Sequence, residues 1–185
     1  MQRSHQLAEE KYTNLRKIAY ELTMEELPYQ DSDSIRLAEI CTKAITAFNA
    51  SPDYHQRMVT WDWNFGVRSY RNRYPNRFEL AIWFEKTLCG LSIGRPTYHG
   101  SGVRLDFIER NPVRNNPLVG RITPISVTAY EVYARLIDAK QLRIMFPEKE
   151  LINYYSSLDF VYIPGTGTTQ NPSYLYKDLV GDTAW

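Results

Sequence analysis

The chain has 185 residues, a length that favours one domain and leaves room for a buried core. It is 43% hydrophobic and 14% aromatic, outside the disordered and collagen-like ranges. Its 22 basic and 21 acidic residues nearly cancel, so overall charge argues for neither a nucleic acid, a membrane surface nor an acidic substrate. Cys41 and Cys89 stand far apart without zinc-ligand spacing, which suits a reduced compartment. His5, His55 and His99 are scattered, so no metal site is expected. Residues 1–20 are polar, and no run approaches the roughly 20 apolar residues that span a bilayer. The expected location is the cytoplasm.

Leucines and an isoleucine fall among charges over residues 4–26, which predicts a helix closed by Pro28. Asp33 or Ser34 is a candidate cap for a second helix. Ile35, Ala38, Ile40, Cys41, Ala44, Ile45 and Phe48 form its apolar stripe, and Ser51-Pro52 ends it. Residues 57–77 carry five aromatics and five arginines (Arg57, Arg68, Arg71, Arg73 and Arg77) against one acid, Asp62. That mixture suits a nucleic-acid or phosphate contact, but no basic stripe elsewhere supports it. A solvated basic connector is the favoured reading.

From Phe78 the period becomes two. Phe78, Leu80, Ile82 and Phe84 alternate with Glu79, Ala81, Trp83 and Glu85, as in a half-buried strand. Lys86-Thr87 turns the chain into a partner strand over 88–95, and 103–109 reads as a third strand. Thr123-Pro124 is a helix start, a hydroxyl cap followed by proline at the first helical position. Ile125, Ala129, Val132, Leu136 and Ile137 then recur at helical spacing, with Glu131 and Arg135 paired on the exposed side. A strand over 142–146, a helix opened by Glu148 and Glu150, a strand over 159–163, a loop over 164–172 and a strand over 174–179 follow. The order predicts an α/β chain with an antiparallel part first and then a parallel pair joined by a helical crossover.

The run Ala134-Arg135-Leu136-Ile137-Asp138-Ala139, then a strand, then Tyr155-Ser156-Ser157-Leu158-Asp159-Phe160, resembles the signature of the GNAT family of acyl-CoA-dependent N-acyltransferases. In that family a helix ends in Ala-Arg-x-x-Gly-Ala, and a later helix carries Tyr-x-x-Leu-Gly-Phe. The likeness covers roughly half the chain, residues 78–185, with 1–77 as a mainly helical N-terminal part of the same domain. It implies a mixed central sheet with an antiparallel N-terminal part, a splayed parallel pair and flanking helices. Asp159 stands at a family glycine, where it is expected to take the left-handed conformation.

The family cradles the CoA pyrophosphate on backbone N–H groups at a helix start, in an Arg/Gln-x-x-Gly-x-Gly/Ala run. With Pro112 on the family proline, Asn115 takes the Arg/Gln place, Asn116 the first glycine and Gly120 the last. The resemblance thus assigns cofactor binding to Asn116, Val119, Gly120, Arg121 and Ile122, with positive φ expected at Asn116. Leu118 replaces another glycine and Pro117 removes a donor, so the loop departs from the pattern.

Tyr155 matches the family tyrosine that protonates the departing thiolate; the plainer alternative is a packed helix-face aromatic. Glu109, with Asp106 near it, lies near the end of the strand beside the acceptor, where a carboxylate could take the ammonium proton. Strand acids are more often only solvated. Trp63, Arg68 and Tyr70 are the substrate-binding candidates. The implied activity is direct transfer of an acyl group, first of all acetyl, from acetyl-CoA to an amine. Two other readings stay open: a catalytically impaired binding or interaction module, and a related enzyme acting on a nucleic acid or charged RNA. The partners expected are a CoA thioester and an amine acceptor, with nucleic acid less favoured, no membrane, and a homodimer left open.

Overall fold

The polar, leucine-spaced N-terminal segment forms α1 (Gln2–Glu26) in the computed structural model, which describes residues 2–51, 53–57, 59, 61–166, 168 and 170–179. Pro52 and Gly167 lie outside the described residues. The next segment is not the single helix expected. Ile35 and Leu37 are buried and Arg36 is exposed along β1 (Ile35–Ala38), and only from Thr42 does α2 (Thr42–Asn49) begin. Pairing with the next strand satisfies the β1 backbone, so period-two burial overrides the helical stripe there. The presumed connector contains a helix, α3 (Trp63–Arg73). Asp62 is its N-cap, and the carboxylate accepts the Phe65 N–H at 3.0 Å.

The hairpin follows as β2 (Phe78–Phe84) and β3 (Thr87–Pro96), then β4 (Gly102–Arg110). After them come α4 (Ile122–Leu136), β5 (Gln141–Met145), α5 (Ile152–Ser156), β6 (Val161–Ile163) and β7 (Tyr174–Asp178). The sheet runs β1-β2-β3-β4-β5-β7-β6, and among the described residues the one parallel pair is β4 with β5. This is the mixed α/β architecture expected, with the α4 crossover between the parallel strands.

One face of the sheet is covered by α1, α4 and α5 around Ala19, Leu80, Leu105, Tyr130 and Tyr155. The other is covered by α2 and α3 around Phe48, Trp63, Val67, Leu91 and Ile93. β2 is therefore buried on both faces from Phe78 to Trp83, not half-buried. Its one acid there, Glu79, is fully buried and held by Arg71 Nη2 and Arg77 Nε, each at 2.9 Å. Burial of the charge is tolerable because both oxygens are paired.

Two helix ends close alike. Asp138 (φ +59) follows α4 and Asp159 (φ +67) follows α5, and in each case the next N–H reaches back five residues, Ala139 to Ala134 O and Phe160 to Tyr155 O. That is a Schellman closure with aspartate in the left-handed place, as expected for Asp159. Other boundaries differ locally. The β2–β3 turn centres on Glu85 (φ +50) and Lys86. A 3-10 turn, Lys149–Leu151, precedes α5, so Glu148 and Glu150 do not open it as an α-helix. Glu131 pairs with Lys177 and Arg135 with Glu26, because tertiary partners lie closer to hand than the neighbour one turn away.

Candidate active site

β4 pairs with β5 only from Gly102 to Leu105, against Gln141 to Ile144, while its pairing with β3 runs on to Arg110. Past Leu105 the parallel strands part. At that point β4 carries an extra residue: Gly94 faces Leu105 and Ile93 faces Phe107, leaving Asp106 in a bulge. Gly94 has no room for a side chain, since a Cβ would run into the Arg104 carbonyl oxygen. Gly90 plays a matching part nearer the turn. A Cβ there would lie 2.7 Å from Ile122 Cγ2, so its absence lets the start of α4 settle on β3.

The loop into α4 is shaped by Asn116. Its buried side chain donates to Cys89 O at 2.8 Å and Asn111 O at 3.0 Å, and accepts the Leu118 N–H at 3.0 Å. Leu118 is fully buried and anchors the turn. Positive φ falls on Asn115 (+58) and Gly120 (+77), not on Asn116, whose side chain is committed to these three bonds. The helix starts two residues earlier than the Thr123-Pro124 signal suggests, with Arg121 at the N-cap and Pro124 in the third helical position. Val119 and Arg121 spend their N–H groups on Asn116 O and Leu118 O. Among the described residues, the N–H groups of Gly120, Ile122 and Thr123 find no acceptor in the chain. Val119 is exposed, whereas Ile122 is buried. The Arg121 guanidinium reaches both oxygens of Asp31 at 2.7 and 3.0 Å and lies over the Tyr29 ring.

Tyr155 sits on this same face. It is 3% exposed, packed edge-on to Tyr154 and Phe160. Burial pushes its hydroxyl up to about 12, and the Thr123 side chain at the start of α4 works the other way.

A cavity of about 400 Å³ opens on the opposite face, between α3 and the β3–β4 pair. Trp61, Phe65, Tyr70, Tyr74 and Phe107 supply aromatic wall, and Arg73, Arg95 and Arg104 supply charge. Two wall residues have their polar tips tied down. Trp63 Nε1 donates to Glu109 Oε2 at 2.7 Å, and the Tyr70 hydroxyl donates to Asp106 Oδ2 at 2.8 Å. Burial, then the Asp106 charge, raises the Tyr70 hydroxyl well above the ordinary tyrosine range. Asp106 also accepts from Arg104. Both Glu109 oxygens accept from Arg57, at 2.7 and 2.8 Å.

No protein-family model matches the sequence, and no curated protein does. Solved structures do match. An acetyltransferase from Streptococcus agalactiae is 15% identical over 82% of this chain and all of its own, with a TM-score of 0.58. A protein from Desulfovibrio desulfuricans described as an acetyltransferase of the GNAT family is 10% identical over 79% of this chain and 99% of its own, also with a TM-score of 0.58. A variant of the spermidine N-acetyltransferase from Vibrio cholerae is 11% identical over 80% of this chain and 95% of its own, with a TM-score of 0.56. The chain has the GNAT fold. On that fold, the element order read from residues 78–185 holds throughout, and the helix-end motifs fall where the GNAT resemblance puts them.

The site residues expected from sequence divide between the two faces. Asn116, Gly120, Arg121, Ile122 and Tyr155 gather at the start of α4, and Val119 projects from the same turn. Trp63 and Tyr70 border the cavity opposite, with Glu109 behind Trp63. Arg68 is exposed and lies outside the cavity lining. The five arginines of residues 57–77 do not form one basic surface, because Arg57, Arg71 and Arg77 are held in ion pairs with Glu109, Glu79 and Glu9. Arg95, Arg104 and Phe107 escaped the sequence reading as site residues. A signal existed: Arg95 and Arg104 lie at equal distances from the 99–100 turn, so a tight hairpin must place them side by side. No group of three or more His, Cys, Asp or Glu side chains among the described residues is placed to hold a metal, and none of their helices is long and apolar enough to cross a membrane.

Proposed function

We propose that the chain is an acyl-CoA-dependent N-acyltransferase, with acetyl-CoA as donor and a small amine as acceptor. One observation carries this reading: a helix start with free N–H groups and an aromatic cavity lie on opposite faces of the sheet, where β4 and β5 part. The N–H groups of Gly120, Ile122 and Thr123 suit a pyrophosphate, because orphan donors and the helix dipole both favour negative charge. Bound acetyl-CoA would supply an activated acyl thioester. The amine enters from the cavity and attacks the carbonyl carbon, so a C–N bond forms as the C–S bond breaks. Unpaired β4 N–H groups beyond Leu105 would polarise that carbonyl as charge develops on its oxygen. Tyr155 stays protonated throughout the neutral range and gives its proton to the leaving thiolate. The proton lost by the nitrogen passes to water. Glu109, with both oxygens held by Arg57 and one also by Trp63, anchors the cavity wall in place of the base role its strand position implied. Likeness in fold to a spermidine N-acetyltransferase supports nitrogen as the accepting atom.

The loop itself supports a second reading, a binding module without turnover. Pro117 has no N–H to offer, that of Leu118 is taken by Asn116, and the Arg121 charge is engaged by Asp31. A calorimetric titration with acetyl-CoA separates the two. Saturable heat is expected, and no heat at millimolar acetyl-CoA would move the conclusion to the binding module.

A further inference from the structure

Building on that reading of the cavity as the acceptor site, we infer that the acceptor is an aromatic α-amino acid or a close analogue: an amine that also bears a carboxylate and a flat apolar body.

The carboxylate is called for by charge. Arg95 and Arg104 are direct partners across the antiparallel β3–β4 pair, and both line the cavity. Like charges placed directly opposite destabilise such a pair. Arg104 is compensated by Asp106. Arg95 has no carboxylate among the described residues; it lies 4.5 Å from the centre of the Tyr74 ring and donates to Pro96 O at 3.2 Å. Arg73, from the last turn of α3, lines the same cavity and has no ion pair among the described residues either. Against these three guanidiniums stand one shared carboxylate, Asp106, and the capping Asp62 at the rim. An entering carboxylate relieves the repulsion and meets donor forks that match it geometrically. A polyamine would meet the same charges as a barrier.

The aromatic body follows from the wall. Because the polar tips of Trp63 and Tyr70 are committed to Glu109 and Asp106, what these two rings offer a ligand is apolar edge and face, as Phe65 and Phe107 do beside them. Trp61 and Phe107 already meet edge-to-face with centroids 4.9 Å apart, the geometry in which a further ring packs. The volume of about 400 Å³ suits one small molecule. The α-amino placement follows from the strand. In an α-amino acid one carbon separates the nitrogen from the carboxylate. A carboxylate held by Arg95, directly across from Arg104, therefore sets the nitrogen near the Asp106 bulge, where β4 leaves β5.

The test is calorimetry on the whole chain without acetyl-CoA. Phenylalanine, tyrosine and tryptophan are each titrated beside their decarboxylated amines, phenethylamine, tyramine and tryptamine. We expect at least one amino acid to bind about tenfold or more tighter than its amine, the size of a charge-assisted contact. Arg95→Gln should erase that preference with circular dichroism unchanged, and Arg73→Gln is the second variant should the first not fold. Amines that bind as well as their amino acids overturn the inference, and so does absence of heat from all three amino acids at millimolar concentration. The readout needs no turnover, so after a failed acetyl-CoA titration the cavity's preference for an aromatic amino acid stands and only its role as acceptor falls. Acetylation of the decarboxylated amines alone would sink it and leave the broader activity intact.

Discussion

Arg57 and Glu109 form a two-point ion pair between the segment before α3 and the end of β4, with both side chains 7% exposed. The pair, with Trp63 on the same carboxylate, fastens the aromatic wall of the cavity to the strand beneath it. Glu109→Gln leaves a buried guanidinium without its counter-charge, and we expect a loss of about 3–5 kcal/mol, read as a lower urea midpoint. Removing both charges in Arg57→Met with Glu109→Gln should recover much of that loss. A double variant whose loss equals the sum of the singles would refute this account.

Tyr155→Phe keeps the packed ring and removes the hydroxyl. If that hydroxyl protonates the thiolate, turnover on an identified acceptor should fall about 10²-fold or more while acetyl-CoA affinity stays nearly constant. If Tyr155 only packs, turnover persists and stability shifts by about 1 kcal/mol.

Gly120 adopts φ +77, yet a Cβ built there meets nothing within 4 Å. The constraint is therefore conformational and not steric. Gly120→Val should cost about 1–2 kcal/mol and weaken acetyl-CoA binding by disturbing the neighbouring N–H groups, whereas Gly120→Asn, which tolerates the left-handed region, should keep most of both. Thermal shift with and without acetyl-CoA separates the pair. Equal losses in both variants would point to the ligand needing the space itself.

Tyr20, Tyr70, Tyr130, Tyr133 and Tyr155 all have hydroxyls raised mainly by burial. In the unfolded chain each ionises near its ordinary value of about 10. Above that pH the unfolded state loses protons that the folded state keeps. Stability is thus full below about pH 10 and falls as pH rises toward the folded values. Tyr155 alone, pushed up to about 12, accounts for roughly 2–3 kcal/mol across its window. Urea midpoints followed upward from neutral pH should hold level and then drop steeply; a level profile through pH 12 would show these rings to be solvated.

Local signals were legible in the sequence and distant ones were not. Period two marked β2, the turn after it marked β3, and the Tyr155–Phe160 motif marked the end of α5, because each depends on residues a few positions apart. Ile35 to Ala38 reads as helix in isolation and becomes strand only because Ala81 to Phe84 offers it a partner. Glu79 reads as a solvent-facing residue until Arg71 and Arg77 fold over it. The two-faced arrangement of the site was likewise hidden. It arises from Gly90 and Gly94 allowing close approach on β3, and from the register that sets Arg95 against Arg104.

The early parting of β4 from β5 leaves a sheet edge in the interior of the protein. Alternate β4 amides beyond Leu105 are bonded to β3, and those between them point toward the strand that has moved away. Native-state hydrogen exchange should therefore be two-rated along residues 106–110: amides bonded to β3 exchange only with large-scale opening, and their neighbours exchange wherever water enters between the strands. The faster set then serves as a reporter within the backbone, slowing when a molecule lodges beside β4 and unchanged when one binds elsewhere on the surface.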